Sequence, residues 1–145
     1  MRETIKPEIV KIEEDFRQVC VKIKKKGRTI LNNFEITPPQ FAALLELIEH
    51  GDMTIGDLSS RMYLACSTVT DLLDRMERNQ LVVRIKDEKD RRIVRIQVLE
   101  KGHHLIEEVL YVRRLYIQGI LAEMPSNSIE EIERCFSYLN KNMSI

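Results

Sequence analysis

The sequence predicts a mainly α-helical protein with a small β-hairpin wing. It is a winged helix-turn-helix with a helical dimerisation region drawn from both termini. Three observations predict it. First, a short helix opening at Thr54 passes through the link Tyr63-Leu64-Ala65 into a second helix, Ala65 to Asn79 (ACSTVTDLLDRMERN). Second, two alternating segments follow, Leu81 to Lys86 and Ile93 to Leu99, joined by the charged tip Asp87-Glu88-Lys89-Asp90-Arg91-Arg92. Third, both ends of the chain carry apolar residues at helical spacing, more seam than one small lobe can bury. The expected division is residues 37–99 for the winged lobe, and 1–36 with 100–145 for dimerisation.

Each element has a local cause. From Thr4 to about Asn32, Ile5, Ile9, Ile12, Phe16, Val19 and Ile23 recur at alternating spacings of four and three. That is a narrow seam suited to packing on another helix. Pro7 sits near the start, where a helix tolerates it, and Gly27 weakens the helix after the basic run Lys22 to Arg28. Thr37-Pro38-Pro39-Gln40 opens a second helix: Thr37 caps, Pro38 takes the first position and Gln40 closes a capping box. Phe41, Leu44, Leu45 and Ile48 form its apolar stripe, and Gly51 ends it. Thr54 caps the third helix with Asp57 at the third position, and Ile55, Leu58 and Met62 face inward.

In the next helix Val69, Leu72, Leu73 and Met76 point to the core. The strands alternate, with Leu81, Val83 and Ile85 on one and Val94, Ile96 and Val98 on the other. A long helix starts at Lys101-Gly102 and runs to about Glu123, where Pro125 stops it. At ~1.5 Å per residue it spans roughly 35 Å. Ser128-Ile129-Glu130-Glu131 reads as a capping box for a last helix bearing Ile129, Ile132, Phe136, Leu139 and Met143. Two terminal seams without partners point to a homodimer.

Composition narrows the function. The 145 residues hold 23 Lys and Arg against 23 Asp and Glu, so formal net charge is zero and no global field draws the chain to polyanions. A nucleic-acid surface must come from local segregation of charge. Trp is absent and aromatics are 6%, which argues against stacking on single strands. No apolar run reaches membrane-spanning length, and the N-terminus lacks the apolar core of a signal peptide. Cys20, Cys66 and Cys135 form no CxxC pair. Reduced thiols and a cytoplasmic location are expected. There is no nucleophile–base pattern and no glycine-rich phosphate loop. His103 and His104 are adjacent, so they point apart on a helix, and His50 is separate. The expectation is no enzyme, no metal and no cofactor.

The residues left over suit duplex DNA. Ser67, Thr68 and Thr70 stand at the front of the second helix of the pair, where hydroxyls, free N–H groups and the helix dipole meet bases or phosphates. Helix capping is the structural alternative for Ser67 and Thr68. Asp71 and Arg75 also face outward; Asp71 is the awkward member, since a carboxylate repels phosphate unless it accepts from a cytosine amino group. Around the hairpin cluster Arg84, Lys86, Lys89, Arg91, Arg92 and Arg95, tempered by Asp87, Glu88 and Asp90. Cys66 begins the same helix, so its oxidation would obstruct docking, and Cys20 sits beside a cationic segment. These two are the redox candidates. A small buried residue is the structural alternative for Cys20, and Cys135 follows the apolar pattern of the last helix.

Three stretches, STVTDLLDRMERNQLVVR, DEKDRRIVRIQVLEKG and ITPPQFAALL, resemble the MarR family of bacterial transcription regulators. The resemblance implies a triangular homodimer that represses transcription from pseudo-palindromic operators. It implies release by a small phenolic or lipophilic effector, or by oxidation of a cysteine. It places Arg92 in the minor groove, with Asp90 holding its guanidinium or the hairpin in shape, and pairs Arg75 with Asp90. Many members carry a basic or neutral residue where this chain has Asp71. Cys20 lies about two helical turns nearer to ITPPQ than the sensor cysteine of peroxide-sensing members. An effector pocket between dimer region and lobe would draw on Phe34, Phe41, Tyr63 and Tyr111. A second reading of the same residues is a winged protein-interaction module with weak or no DNA binding.

Overall fold

Two capping boxes fix where the helices of the winged lobe begin. Thr37 Oγ1 accepts from the Gln40 backbone N–H at 3.3 Å while Gln40 Oε1 accepts from the Thr37 N–H at 3.0 Å. Thr54 and Asp57 repeat the exchange at 3.1 and 3.3 Å. Each box satisfies two backbone donors that a helix start otherwise leaves open. The computed structural model describes residues 1–144. Their order is α1 (Pro7–Asn33), α2 (Pro38–His50), β1 (Met53–Thr54), α3 (Ile55–Met62), α4 (Cys66–Arg78), β2 (Val82–Lys86), β3 (Val94–Val98), α5 (Glu100–Leu121) and α6 (Ser126–Asn142). The chain forms two compact units, Met1–Leu110 and Tyr111–Ile145, and α5 runs from the first into the second.

The core of the first unit is made by Leu44, Leu58, Val69, Leu73, Met76, Val82, Ile96 and Val109, all fully buried. Each such side chain contributes about 1.5–3 kcal/mol of transfer free energy. On α2 the buried stripe is Phe41, Ala43, Leu44 and Leu47, while Leu45 and Ile48 are half-buried. Leu58 carries α3, with Ile55 and Met62 half-buried. At Gly102 a Cβ would lie 2.5 Å from the Leu81 carbonyl oxygen and 2.8 Å from Val98 Cγ1. Only glycine lets α5 seat this closely against the hairpin base.

The sheet is antiparallel in the order β1-β3-β2. The strand β1 is an addition to the sequence reading: two residues, Met53 and Thr54, pair with Ile96 and Arg95. The phase of β2 is a correction. Val82, Arg84 and Lys86 sit opposite Val98, Ile96 and Val94, so Val82 and Arg84 share the inward face. Val82 is fully buried and Ile85 is exposed, the reverse of the expected Leu81–Val83–Ile85 set. Leu81 is buried from the preceding turn, where Gln80 takes φ 63° and the Leu81 N–H donates to Met76 O. On β3 Ile96 is buried and Val94 and Val98 are half-buried, as the alternation predicts.

α1 runs unbroken through Gly27 to Asn33, in keeping with the expected span to about Asn32. At the other chain end an expectation changes. α6 starts at Ser126 behind Pro125, two residues before Ser128, and no side chain caps it. The Ser128 N–H already donates to Pro125 O, so the expected capping box does not form. The α1 seam is uncovered in the single chain: Ile9, Ile12, Phe16, Val19 and Ile23 are all exposed. In the second unit Ile129 and Phe136 are exposed as well. Cys20, for which a small buried residue was the alternative to a redox role, and Cys135, expected in the core, are both exposed. Among the described residues no helix is long and apolar enough to cross a membrane.

Candidate nucleic-acid interface

The turn into α4 is tight because Tyr63 takes the left-handed conformation, φ 55° and ψ 41°. Its N–H and that of Leu64 close on Ser60 O and Ser59 O, which ends α3 and redirects the chain within three residues. α4 then starts at Cys66 behind Ala65, and no side chain caps it. Ser67 and Thr68 are therefore not caps. Both lie exposed in the first turn, where the backbone N–H groups have no helical partner. The Thr70 hydroxyl donates to Cys66 O at 2.8 Å, which leaves its oxygen as an acceptor. Asp71 and Arg75 are exposed further along the helix. Cys66 is exposed, and its Sγ lies 3.2 Å from the Oγ of buried Ser59, which donates to Gly56 O.

The hairpin tip is built by its aspartates. Asp87 Oδ1 accepts from the Lys89 N–H at 3.0 Å, and Asp87 Oδ2 lies 3.6 Å from Arg95 Nε. Asp90 accepts three times from Arg92: Oδ1 from the backbone N–H and from Nε, Oδ2 from Nη2, each at 3.1 Å. The Arg92 side-chain and backbone bonds hold the Asp90 carboxyl below the usual carboxylate range, and the carboxylate raises the Arg92 guanidinium in turn. Arg92 is nonetheless 91% exposed. Lys89 and Arg91 are exposed beside it, as is Glu88. Two of the three acids at the tip thus shape it.

The expected Arg75–Asp90 pair does not form. Asp90 is engaged by Arg92, and among the described residues Arg75 makes no ion pair. The tie between hairpin and α4 runs instead through Arg84, which donates to Glu77 and Asp74 on α4. Sequence reasoning missed this bridge because it placed Arg84 in the cationic tip; the strand phase was the signal that decides it. The bridge also removes Asp74 as a free carboxylate, whereas Asp71 keeps its charge unpaired among the described residues.

The four aromatics proposed for an effector pocket fall in different surroundings. Phe41 is buried in the core, Phe34 lines a groove of about 440 Å³ with Ile36, Leu81, Lys101, His104 and Leu105, and Tyr63 lines a different one with His50 and Arg61. Tyr111 is exposed in the second unit.

The model of the MarR family matches residues 36–94, from the start of α2 into β3. YsmB of Bacillus subtilis (strain 168), an uncharacterized HTH-type transcriptional regulator, is 47% identical over 135 residues, covering 93% of this chain and 92% of that protein. The chain belongs to the MarR family. A MarR family protein from Bacillus stearothermophilus superposes with a TM-score of 0.89 at 45% identity, covering 97% of this chain and 99% of that one. A mutant of S. aureus MepR, solved bound to an oligodeoxyribonucleotide, shares the fold at a TM-score of 0.72 and 22% identity, covering 92% and 98%. MarR-family members are DNA-binding transcription regulators, not enzymes, and they act as dimers.

Proposed function

We propose that this MarR-family chain is a homodimeric repressor that reads a pseudo-palindromic duplex with α4 and the hairpin tip of each copy. The observation that carries the reading is one pairing within the first unit. An uncapped α4 start with exposed Ser67 and Thr68 occurs in the same unit as a hairpin whose exposed Arg92 is oriented by Asp90. The open N–H groups and hydroxyls suit phosphate and base edges in the major groove. A fixed guanidinium suits a narrow A·T-rich minor groove. Thr70, Asp71 and Arg75 continue the helix surface, with Asp71 accepting from a cytosine amino group. Lys89 and Arg91 add phosphate contacts.

Dimerisation falls to residues 1–36 and 100–145, whose uncovered seams need a second copy. The MepR oligodeoxyribonucleotide complex supports the choice of DNA as partner. The site of action is the cytoplasm. Release follows either a small lipophilic or phenolic effector, or oxidation of a thiol. Cys66 is the better-placed thiol because it opens the docking helix, while Cys20 lies on α1. The test is selection of bound duplexes from a random pool, followed by anisotropy titration and a screen for compounds or peroxides that release the selected duplex. A preferred, two-fold symmetric sequence is expected. Equal binding to every duplex, or to none, would favour a protein-interaction module instead.

A further inference from the structure

Arg84 stands in the middle of β2, in one row across the sheet with Ile96 and Met53. Its Nε donates to Glu77 Oε2 at 2.9 Å and its Nη2 to Asp74 Oδ1 at 2.6 Å. The two acceptors are three residues apart on α4 and so lie on one helical face. A planar guanidinium spans two such carboxylates; an ammonium, being a point charge, does not hold both in fixed geometry. The Arg84 side chain is 29% exposed, against 91% for Arg92. Beyond Arg84, Ile85, Lys86 and the tip arginines are exposed, and only Ile93 and Val94 are half-buried apolar residues. Among the described residues no hydrogen bond ties residues 85–95 to α4, so Arg84 is the last polar link between the two.

We infer that Arg84 is a positioning residue: by bridging Asp74 and Glu77 it fixes the aim of the hairpin tip relative to α4, without itself touching DNA. This rests on the reading of α4 and the tip as the DNA surface. It predicts an outcome that simple electrostatics opposes. Removing two negative charges from a DNA-facing helix should strengthen binding to a polyanion. Removing the two anchors of the hairpin should weaken it.

The test is the Asp74→Asn/Glu77→Gln double variant beside Arg84→Lys, each titrated against the selected duplex. Hydrogen exchange of the amides of residues 87–92 is followed in the free protein. Both variants are expected to lose affinity on the order of tenfold, comparable to loss of a tip arginine, and to exchange faster at the hairpin. Their melting temperatures should stay near that of the unmodified chain, since partly exposed ion pairs add little stability. Binding as tight as the parent or tighter in the double variant, or unchanged exchange in both, overturns the inference. If the parent chain bound no duplex, the DNA reading would fall, and hairpin exchange alone would decide the bridge.

Discussion

In the proposed function duplex recognition turns on Arg92, and the chemistry of that residue is local. Two side-chain bonds to Asp90, beside a third from the backbone N–H, pre-order a side chain that is otherwise in solvent. Pre-ordering lowers the entropy lost when the guanidinium enters a groove. Arg92→Ala should therefore weaken binding to the selected duplex on the order of tenfold and leave the melting temperature unchanged, as read by anisotropy and circular dichroism. The pH behaviour of the pair follows from its sign. A carboxyl with a lowered folded-state pKa contributes above the unfolded pKa and loses that contribution only as pH falls through the folded one. Carboxyl NMR should place the Asp90 titration below that of an ordinary aspartate, with the pair intact between about pH 6 and pH 8. The sequence offered this pairing only through the MarR resemblance, as one of two roles for Asp90; it forms because an aspartate two residues before an arginine in a turn can accept from both its backbone and its side chain. The Arg84 bridge was not legible, because it depends on which face of β2 turns inward. Gly102 makes a separate point about packing. Gly102→Ala places a methyl 2.5 Å from the backbone oxygen of Leu81, which cannot swing aside. Urea melts should show a loss of about 1–3 kcal/mol.

Among the elements, those with chemical punctuation were readable and those fixed by tertiary pairing were not. Thr37-Pro-Pro-Gln and Thr54 with Asp57 announce α2 and α3, and both boxes close in the structure. Thr54→Ala should cost about 1 kcal/mol in a urea melt. β1 has only two residues and exists because β3 offers backbone partners, a condition no local pattern reports. The phase of β2 was ambiguous because Leu81, Val82 and Val83 are consecutive apolar residues. A turn with Gln80 at positive φ sets which of them enters the sheet. At α6, Pro125 ordered the chain before Ser128 was reached. The α1 seam is the clearest case of an element whose meaning lies outside the single chain. Its spacing was plain in the sequence, and its exposure is plain in the structure. Phe16→Glu, which plants a charge in that seam, should leave a monomer by sedimentation while the winged lobe keeps its fold.

For the whole molecule, zero net charge makes location decisive. Binding cannot rest on a general field, so the proposed function assigns it to the tip cations and the α4 start, with Asp74 and Glu77 held by Arg84 and Asp90 by Arg92. On that proposal each copy neutralises few phosphates, and a dimer reaches useful affinity because two linked half-sites add their contributions. Loss of the dimer should therefore cost far more affinity than loss of any one side chain. The measurement that bears most directly on this account is sedimentation equilibrium of the chain with its selected, labelled duplex at modest ionic strength. Two copies on each duplex, with the complex dissociating as salt is raised, is the predicted result. A single copy per duplex, or the same association with a scrambled duplex, would contradict it.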